Sequence, residues 1–574
     1  MESEVTEETV MAKTVAIGVQ DYAELIENNR FYVDKTGFIR EWWGSGDSVT
    51  LITRPRRFGK TLNMSMLNCF FSNKYENRGD LFEGLDVFRD EKYRTLQGSY
   101  PVIFLTFAGV KAANFDDAVY GIKRQISGVF NNHDFLRQDE NITEKEKREF
   151  ENVGSDMSSG TAEYSLNLLS GLLEKHYGKK VLIFLDEYDT PLQEAYVGGY
   201  WDEMVSFIRS LFNNTFKTNP SLGRAVMTGI TRVSKESIFS DLNNLNVVTT
   251  TSEEYATAFG FTEEEVFKAM DDQGIPEEEK ENVKFWYDGF TFGKVRDIYN
   301  PWSVTLYLDK GTYETHWANT SSNGLVGKLI REGDKKVKTE FEKLLNGECI
   351  EAEIDEQIVF DQLDNNRDAI WSLLLASGYL KTERIIREHT NDEAVYVLSL
   401  TNFEVKRMFS RMIKSWFNGN DDFNDFVKAM LKGDIREMNH YMNDVALDTF
   451  SYFDAGNKPS EKKEPERFYH GFVLGLMVDK AKDYIVKSNR ESGFGRYDVV
   501  MEPKSADQPA VIMEFKVLDR EDDEESLEDT AKNALRQIEE KRYDTDLLQK
   551  GIRPESILKY GFAFEGEKCL IKKG

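Results

Sequence analysis

A short apolar strand that runs straight into a basic turn ending in glycine, and then into a helix, leaves a chain few folds to choose from. Residues 49–71 have that form: VTLIT (49–53) leads into RPRRFGKT (54–61), and LNMSMLNCFF follows with helix-forming composition. This is the setting of a phosphate-binding loop, in which backbone N–H groups at a helix N-terminus hold phosphate oxygens. Gly59, Lys60 and Thr61 supply the second half of the GxxxxGK[ST] pattern, with the lysine for the terminal phosphates and the hydroxyl for magnesium. Arg54 stands where the pattern has its first glycine, so Pro55, Arg56 and Arg57 must shape the turn differently. Taken alone, the loop reads equally well as a basic turn capping a helix.

The strands that follow tip the balance. PVIFLTF (101–107), VLIFLD (181–186) and RAVMTGI (224–230) are apolar at nearly every position, as strands buried on both faces must be. Helical stretches separate them, which predicts an α/β core with a parallel sheet. The polar stretch around DENITEKEKREFEN predicts a helical insertion before the third strand. That strand ends in Asp186-Glu187, the position from which one acid holds magnesium and the next orients and deprotonates an attacking water. The fourth ends at Thr228-Gly229, with Arg232 beyond it as a candidate charge-stabilising finger. Phe58 and Leu62 flank the loop's core and complete the predicted ATP-binding set with Arg56, Arg57, Gly59, Lys60, Thr61, Asp186 and Arg232. Further on, Thr262 and Glu265 form a capping box that opens a new helix.

Composition narrows the rest. A net charge of −28 over 574 residues argues against a protein that coats nucleic acid with its whole surface, while leaving room for a local basic channel. Cys69, Cys349 and Cys569 are far apart and show no zinc-binding spacing, so any metal is held by oxygen and a reducing cytoplasm fits. No apolar run is long enough for a membrane span, and the acidic start MESEVTEETV lacks a signal core.

A second constellation lies near the C-terminus. Asp498 sits in the strand RYDVVM, and the next strand, AVIMEFKV, carries Glu514 and Lys516. Their spacing of two places both on one face, about 6.6 Å apart along the strand, with Met513 and Phe515 on the other. Carboxylates on adjacent strands call for a divalent cation, magnesium being the ordinary choice for oxygen ligands and manganese its substitute. Lys516 would orient the attacking water or stabilise phosphate charge. The triplet alone carries nothing: Asp90-x-Lys92 and Glu278-x-Lys280 match it without that context. The bland alternative is a surface salt-bridge network.

In order, TRPRRFGKT, FLDEYD, FGFTEEEV and WYDGF…YNPWSV resemble AAA-ATPase-like proteins that carry a C-terminal nuclease domain of the PD-(D/E)XK superfamily. The resemblance spans about residues 15–565. It implies a kinship with STAND-type switch ATPases, which tolerate a non-glycine at the first loop position, and a winged-helix-like lid. It implies that Asp498, Glu514 and Lys516 are the D, E and K positions, and that Glu466 on a preceding helix completes the metal site. Gln537 resembles a downstream polar motif of RecB-like nucleases; Tyr543 is off the usual QxxxY spacing, and His470 reads as a packed structural residue.

The expected organisation is an ATPase domain with lid at 1–290, a helical and winged-helix-like region at 291–424 and a nuclease-like domain at 425–574. The expected activity is ATP hydrolysis governing a magnesium-dependent nuclease, with defence or mobile-element biology consistent with that architecture. Nucleic acid is the expected partner, DNA ahead of RNA, together with a homo-oligomer and no membrane. The competing reading is an ATP-switched regulator whose nuclease fold binds without cutting, favoured by the net charge and by the acidic run 519–525. A small-molecule kinase fits the loop but leaves the downstream half unexplained.

Overall fold

The computed structural model describes residues 13–231, 238–239, 242–318, 326–327, 329–330, 335–355, 367–387, 394–416, 423–450, 483–492, 495–505, 508–518, 524–565 and 568–574. The chain divides into two compact units, residues 1–333 with 346–406, and residues 334–345 with 407–574.

The first unit is built on a sheet of β1 (Val49–Thr53), β2 (Val102–Thr106), β3 (Val181–Asp186), β4 (Leu222–Gly229) and β5 (Leu245–Val248), in the order β2-β3-β4-β1-β5. Every pairing is parallel. All residues of β1 and β3 are buried, which is why neither shows polar alternation. The helix Lys60–Phe71 packs on this sheet through Met64, Met66, Leu67, Phe70 and Phe71, in a core shared with Trp42, Phe184 and Val226. Helices Phe115–Asn131, Glu144–Glu151 and Ser159–Tyr177 fill the predicted insertion. Sequence reading missed β5, an edge strand of four residues with only Val248 fully buried.

The capping box predicted at Thr262 is present: its side chain accepts from Glu265 N, and Glu265 accepts from Thr262 N at 2.8 Å. It opens the helix Glu263–Asp272 after β6 (Phe261–Thr262). β6 belongs to a small antiparallel sheet with β7 (Phe290–Phe292) and β8 (Val295–Tyr299), ordered β6-β8-β7. Asn300 then caps the helix Pro301–Lys310. Beyond it come β9 (Ile350–Glu353), the helix Arg367–Ala376, β10 (Leu380–Ile386), β11 (Val395–Leu400) and the helix Phe403–Trp416. The helix, two strands and helix expected around Gly378 are thus present, with β9 as a third strand beside β11.

The second unit holds a mixed sheet of β12 (Tyr484–Ser492), β13 (Gly495–Pro503), β14 (Ala510–Val517), β15 (Ile557–Glu565) and β16 (Lys568–Lys573), in that order. Only β14 and β15 pair in parallel. Met513 and Phe515 face an apolar layer with Phe426, Met430, Met438 and Met442 from helices Phe423–Lys432 and Ile435–Phe450. The opposite face is also covered: the helix Leu527–Glu540 lies so close to Gly561 that a Cβ there would stand 2.5 Å from Ala531 O. The unforeseen edge strand β16 is closed by two asparagines one helical turn apart. Asn439 exchanges hydrogen bonds with Ile571 N and O, and Asn443 with Cys569 N and O, replacing a neighbouring strand. Among the described residues, no helix is long and apolar enough to cross a membrane.

Candidate functional site

The phosphate loop is anchored before it turns. Arg54 donates its backbone N–H to Gly229 O at 3.1 Å, and its fully buried guanidinium reaches Thr53 O, Thr249 O and Glu254 O at 2.9, 2.6 and 3.1 Å. It also lies 4.6 Å from the Phe292 ring. Burial pulls this guanidinium down to about 9. Arg54 is absent from the left-handed residues, whereas Arg57 (φ 65°) and Gly59 (φ 77°) are among them. The first pattern position therefore needs no glycine in this loop, and the side chain there ties β1 to the segment after β5.

Gly59 caps the helix Lys60–Phe71, and Asn63 N donates to its carbonyl. Lys60 is buried and its Nζ donates to Arg54 O at 2.9 Å and Pro55 O at 2.8 Å. Burial lowers its pKa to about 8, against the opposing pull of Glu187, Asp186 and Asp189. The Thr61 hydroxyl donates to Asp186 Oδ2 at 2.8 Å across the β1–β3 gap, and Thr228 Oγ1 donates to Asp186 Oδ1. Burial raises the Asp186 pKa while these two hydroxyls oppose the rise. Glu187, in left-handed backbone at φ 51°, receives Thr190 Oγ1 at 3.2 Å. A hydroxyl and a carboxylate converging at a helix N-terminus are donors suited to a hard divalent cation.

The remaining loop side chains face elsewhere. Phe58 packs edge-on against Phe290 and Phe292, and Leu62 packs against the sheet core, so each can offer a phosphate only its backbone N–H. Arg56 Nη2 donates to Gln193 Oε1 at 3.3 Å, and the Arg57 guanidinium lies 4.3 Å from the Trp302 ring. Arg232 lies outside the described residues.

The second constellation occupies β13 and β14. Val499 of β13 pairs with Met513 of β14, the residues that follow Asp498 and precede Glu514 in the sequence. Glu514 is 3% exposed, and Gln537 of the covering helix donates Nε2 to its Oε1. The same Nε2 donates to Tyr543 Oη at 3.0 Å. Lys516 is half-buried two residues beyond Glu514. Carboxylate oxygens fit magnesium or manganese here as well. Among the described residues, no three His, Cys, Asp or Glu side chains cluster as a metal site. Glu466 and His470 lie outside them.

Residues 16–239 match the family model described as predicted AAA-ATPase, and residues 464–574 match that of the PD-(D/E)XK nuclease superfamily. The chain thus carries, in this order, a region similar to the predicted AAA-ATPase family and a region similar to the PD-(D/E)XK nuclease superfamily. It is also 25% identical over 403 residues to the "uncharacterized protein in vnfD 5′ region" of Azotobacter chroococcum mcd 1, covering 69% of this chain and 68% of that one.

Three groups at the ATPase site escaped sequence reading. Asp189 is buried on the FLDEYD turn and accepts Ile230 N and Thr231 N at 2.9 and 3.0 Å, tying the ends of β3 and β4 together. Asn300 and Trp302 touch the phosphate loop from beyond the ATPase match. Their motif, YNPWSV, was visible, but nothing in it names a partner so distant in sequence. In the nuclease domain, Tyr543 does approach Gln537 despite its spacing, because the helix stops at Glu540 and Arg542 turns left-handed at φ 54°.

Proposed function

We propose that this protein binds and hydrolyses ATP and uses its nucleotide state to control a magnesium-dependent nuclease carried on the same chain. The observation that carries the ATPase half is the Thr61 hydroxyl on Asp186 beside the buried Lys60 ammonium. Thr61 and Asp186 would hold magnesium there; Lys60 and the Gly59–Thr61 N–H groups would bind the β- and γ-phosphates. Glu187 takes the proton of the attacking water, and Arg232 is the proposed charge-stabilising residue.

In the nuclease half, Asp498 and Glu514, joined by Glu466, would hold the metal. A divalent cation there supplies Lewis-acid activation of water and neutralises the scissile phosphate. Gln537 fixes the Glu514 carboxylate, and Lys516 faces the charge that develops on phosphate. DNA is proposed ahead of RNA as substrate, manganese as a substitute for magnesium, and nucleotide-dependent self-association in the cytoplasm as the switch, in the manner of STAND-type ATPases. Defence against foreign DNA, or mobile-element biology, is the proposed setting.

The regulator that binds without cutting keeps one supporting feature, the acidic run 519–525 just after Lys516 in a chain of net charge −28. Cleavage of end-labelled single- and double-stranded DNA and RNA with magnesium or manganese, with and without ATP, separates the two. Cutting lost in Asp498→Ala supports the nuclease, whereas ATP hydrolysis without any cutting supports the regulator.

A further inference from the structure

The phosphate loop is gripped from a segment that lies some sixty residues past the end of the ATPase match. Asn300 is fully buried and uses its amide in two directions. Its Oδ1 accepts Trp302 N at 2.9 Å and Ser303 N at 3.4 Å, capping the helix Pro301–Lys310, while its Nδ2 donates to Arg56 O at 3.2 Å. One residue on, the Arg57 guanidinium stacks 4.3 Å from the Trp302 ring. Among the described residues the buried Trp302 indole N–H meets no hydrogen-bond partner, so its polar atom gains nothing from this position. What the position uses is the ring face.

Arg57 is the residue that needs holding. A non-glycine side chain in left-handed backbone is strained and persists only where its surroundings impose it. The carbonyl before it is held by Asn300, its side chain by Trp302, and the next residue, Phe58, by Phe290 and Phe292. This turn ends at Gly59, where the N–H groups meant for phosphate begin. We infer that Asn300 and Trp302 are positioning residues of the nucleotide site, holding the Arg56-Arg57 turn in the shape that receives the phosphates of ATP. The inference rests on the ATP-binding reading and deepens it, since it makes the β7–β8 hairpin and the helix after it part of the nucleotide site. Nucleotide affinity is then set jointly by the ATPase match and the segment beyond it.

The test uses the full-length protein and a fluorescent N-methylanthraniloyl-ATP probe, with ATPase kinetics alongside. Asn300→Asp keeps the oxygen that caps the helix and replaces the donor facing Arg56 O with a second oxygen. Trp302→Leu removes the ring face and keeps apolar bulk; Trp302→Phe keeps a face and discards the unpaired N–H. Asn300→Asp and Trp302→Leu are expected to weaken probe binding about tenfold. KM should rise in step while kcat is largely kept, and Trp302→Phe should recover most of the affinity. A purely structural role would move the melting temperature without this KM-against-kcat split. Unchanged affinity in both variants, with binding abolished in Lys60→Ala, would overturn the inference and leave the ATP reading standing. Probe binding that is absent in the wild type, or indifferent to Lys60→Ala, would overturn both.

Discussion

Thr61 Oγ1 stands 2.8 Å from Asp186 Oδ2, joining the first residue pair of the helix after the phosphate loop to the end of β3. Parallel strands with β4 between them bring these two residues together, although 125 positions separate them in the sequence. On the proposed reading, these two oxygens would hold the divalent cation that accompanies the nucleotide.

Removing either oxygen should separate binding from turnover. Thr61→Ala is expected to lose the magnesium-dependent part of ATP affinity, and Asp186→Asn to retain nucleotide but lower kcat by about a hundredfold or more. Isothermal titration with and without EDTA, beside phosphate release, checks both. Asp186→Asn at wild-type kcat would remove Asp186 from the site.

The Lys60 ammonium predicts a pH dependence. Its pKa in the free protein is about 8, lowered by burial, and contact with phosphate must raise it. Above pH 8 binding therefore takes up a proton, so ATP affinity should fall as pH rises, towards about tenfold per pH unit. Titrations from about pH 7 to about pH 9.5 read this directly, and a flat profile over that range contradicts it.

Arg54→Gly restores the first glycine of the motif, yet it should harm the protein. The variant leaves four carbonyls, those of Thr53, Thr249, Glu254 and Tyr255, without the guanidinium that now meets them and empties a fully buried site. A loss of about 3 kcal/mol in denaturant unfolding is expected, with no gain in ATP affinity. Equal stability would show that the arginine is incidental.

In the nuclease domain, Gln537→Ala frees Glu514 from its donor and should cut cleavage by about tenfold or more. Tyr543→Phe removes an acceptor of the Gln537 amide and should cost about 1 kcal/mol of stability with a smaller loss of rate. Chelation of divalent metal should abolish cutting in every variant. Cleavage by Gln537→Ala at the wild-type rate would leave the glutamine a packing residue.

Both sheets were legible because their central strands are buried on two faces and carry unbroken apolar runs, as in β3 and β14. The edges were harder: β5 is four residues long, and β16 sets only Cys569, Leu570 and Ile571 between lysines, in a stretch that local reading leaves as tail. Glu514 and Lys516 were readable from a period of two, and the helix after them from its composition, but not how closely that helix lies on the sheet, since its approach depends on Gly561 in a distant strand. Arg54 looked like a defect because a pattern records residue types and not where a side chain goes. The Asn300 contact spans 244 positions, and no local rule reaches that far.

The central claim is that one chain couples ATP to phosphodiester cleavage, and the most direct measurement compares cleavage of labelled DNA by wild type, Lys60→Ala and Asp498→Ala with magnesium, in the presence and absence of ATP. Cutting by the wild type that responds to ATP is expected, with cutting by Lys60→Ala that no longer responds, and none by Asp498→Ala. Cutting that is equal with and without ATP in the wild type, or that survives Asp498→Ala, would contradict it.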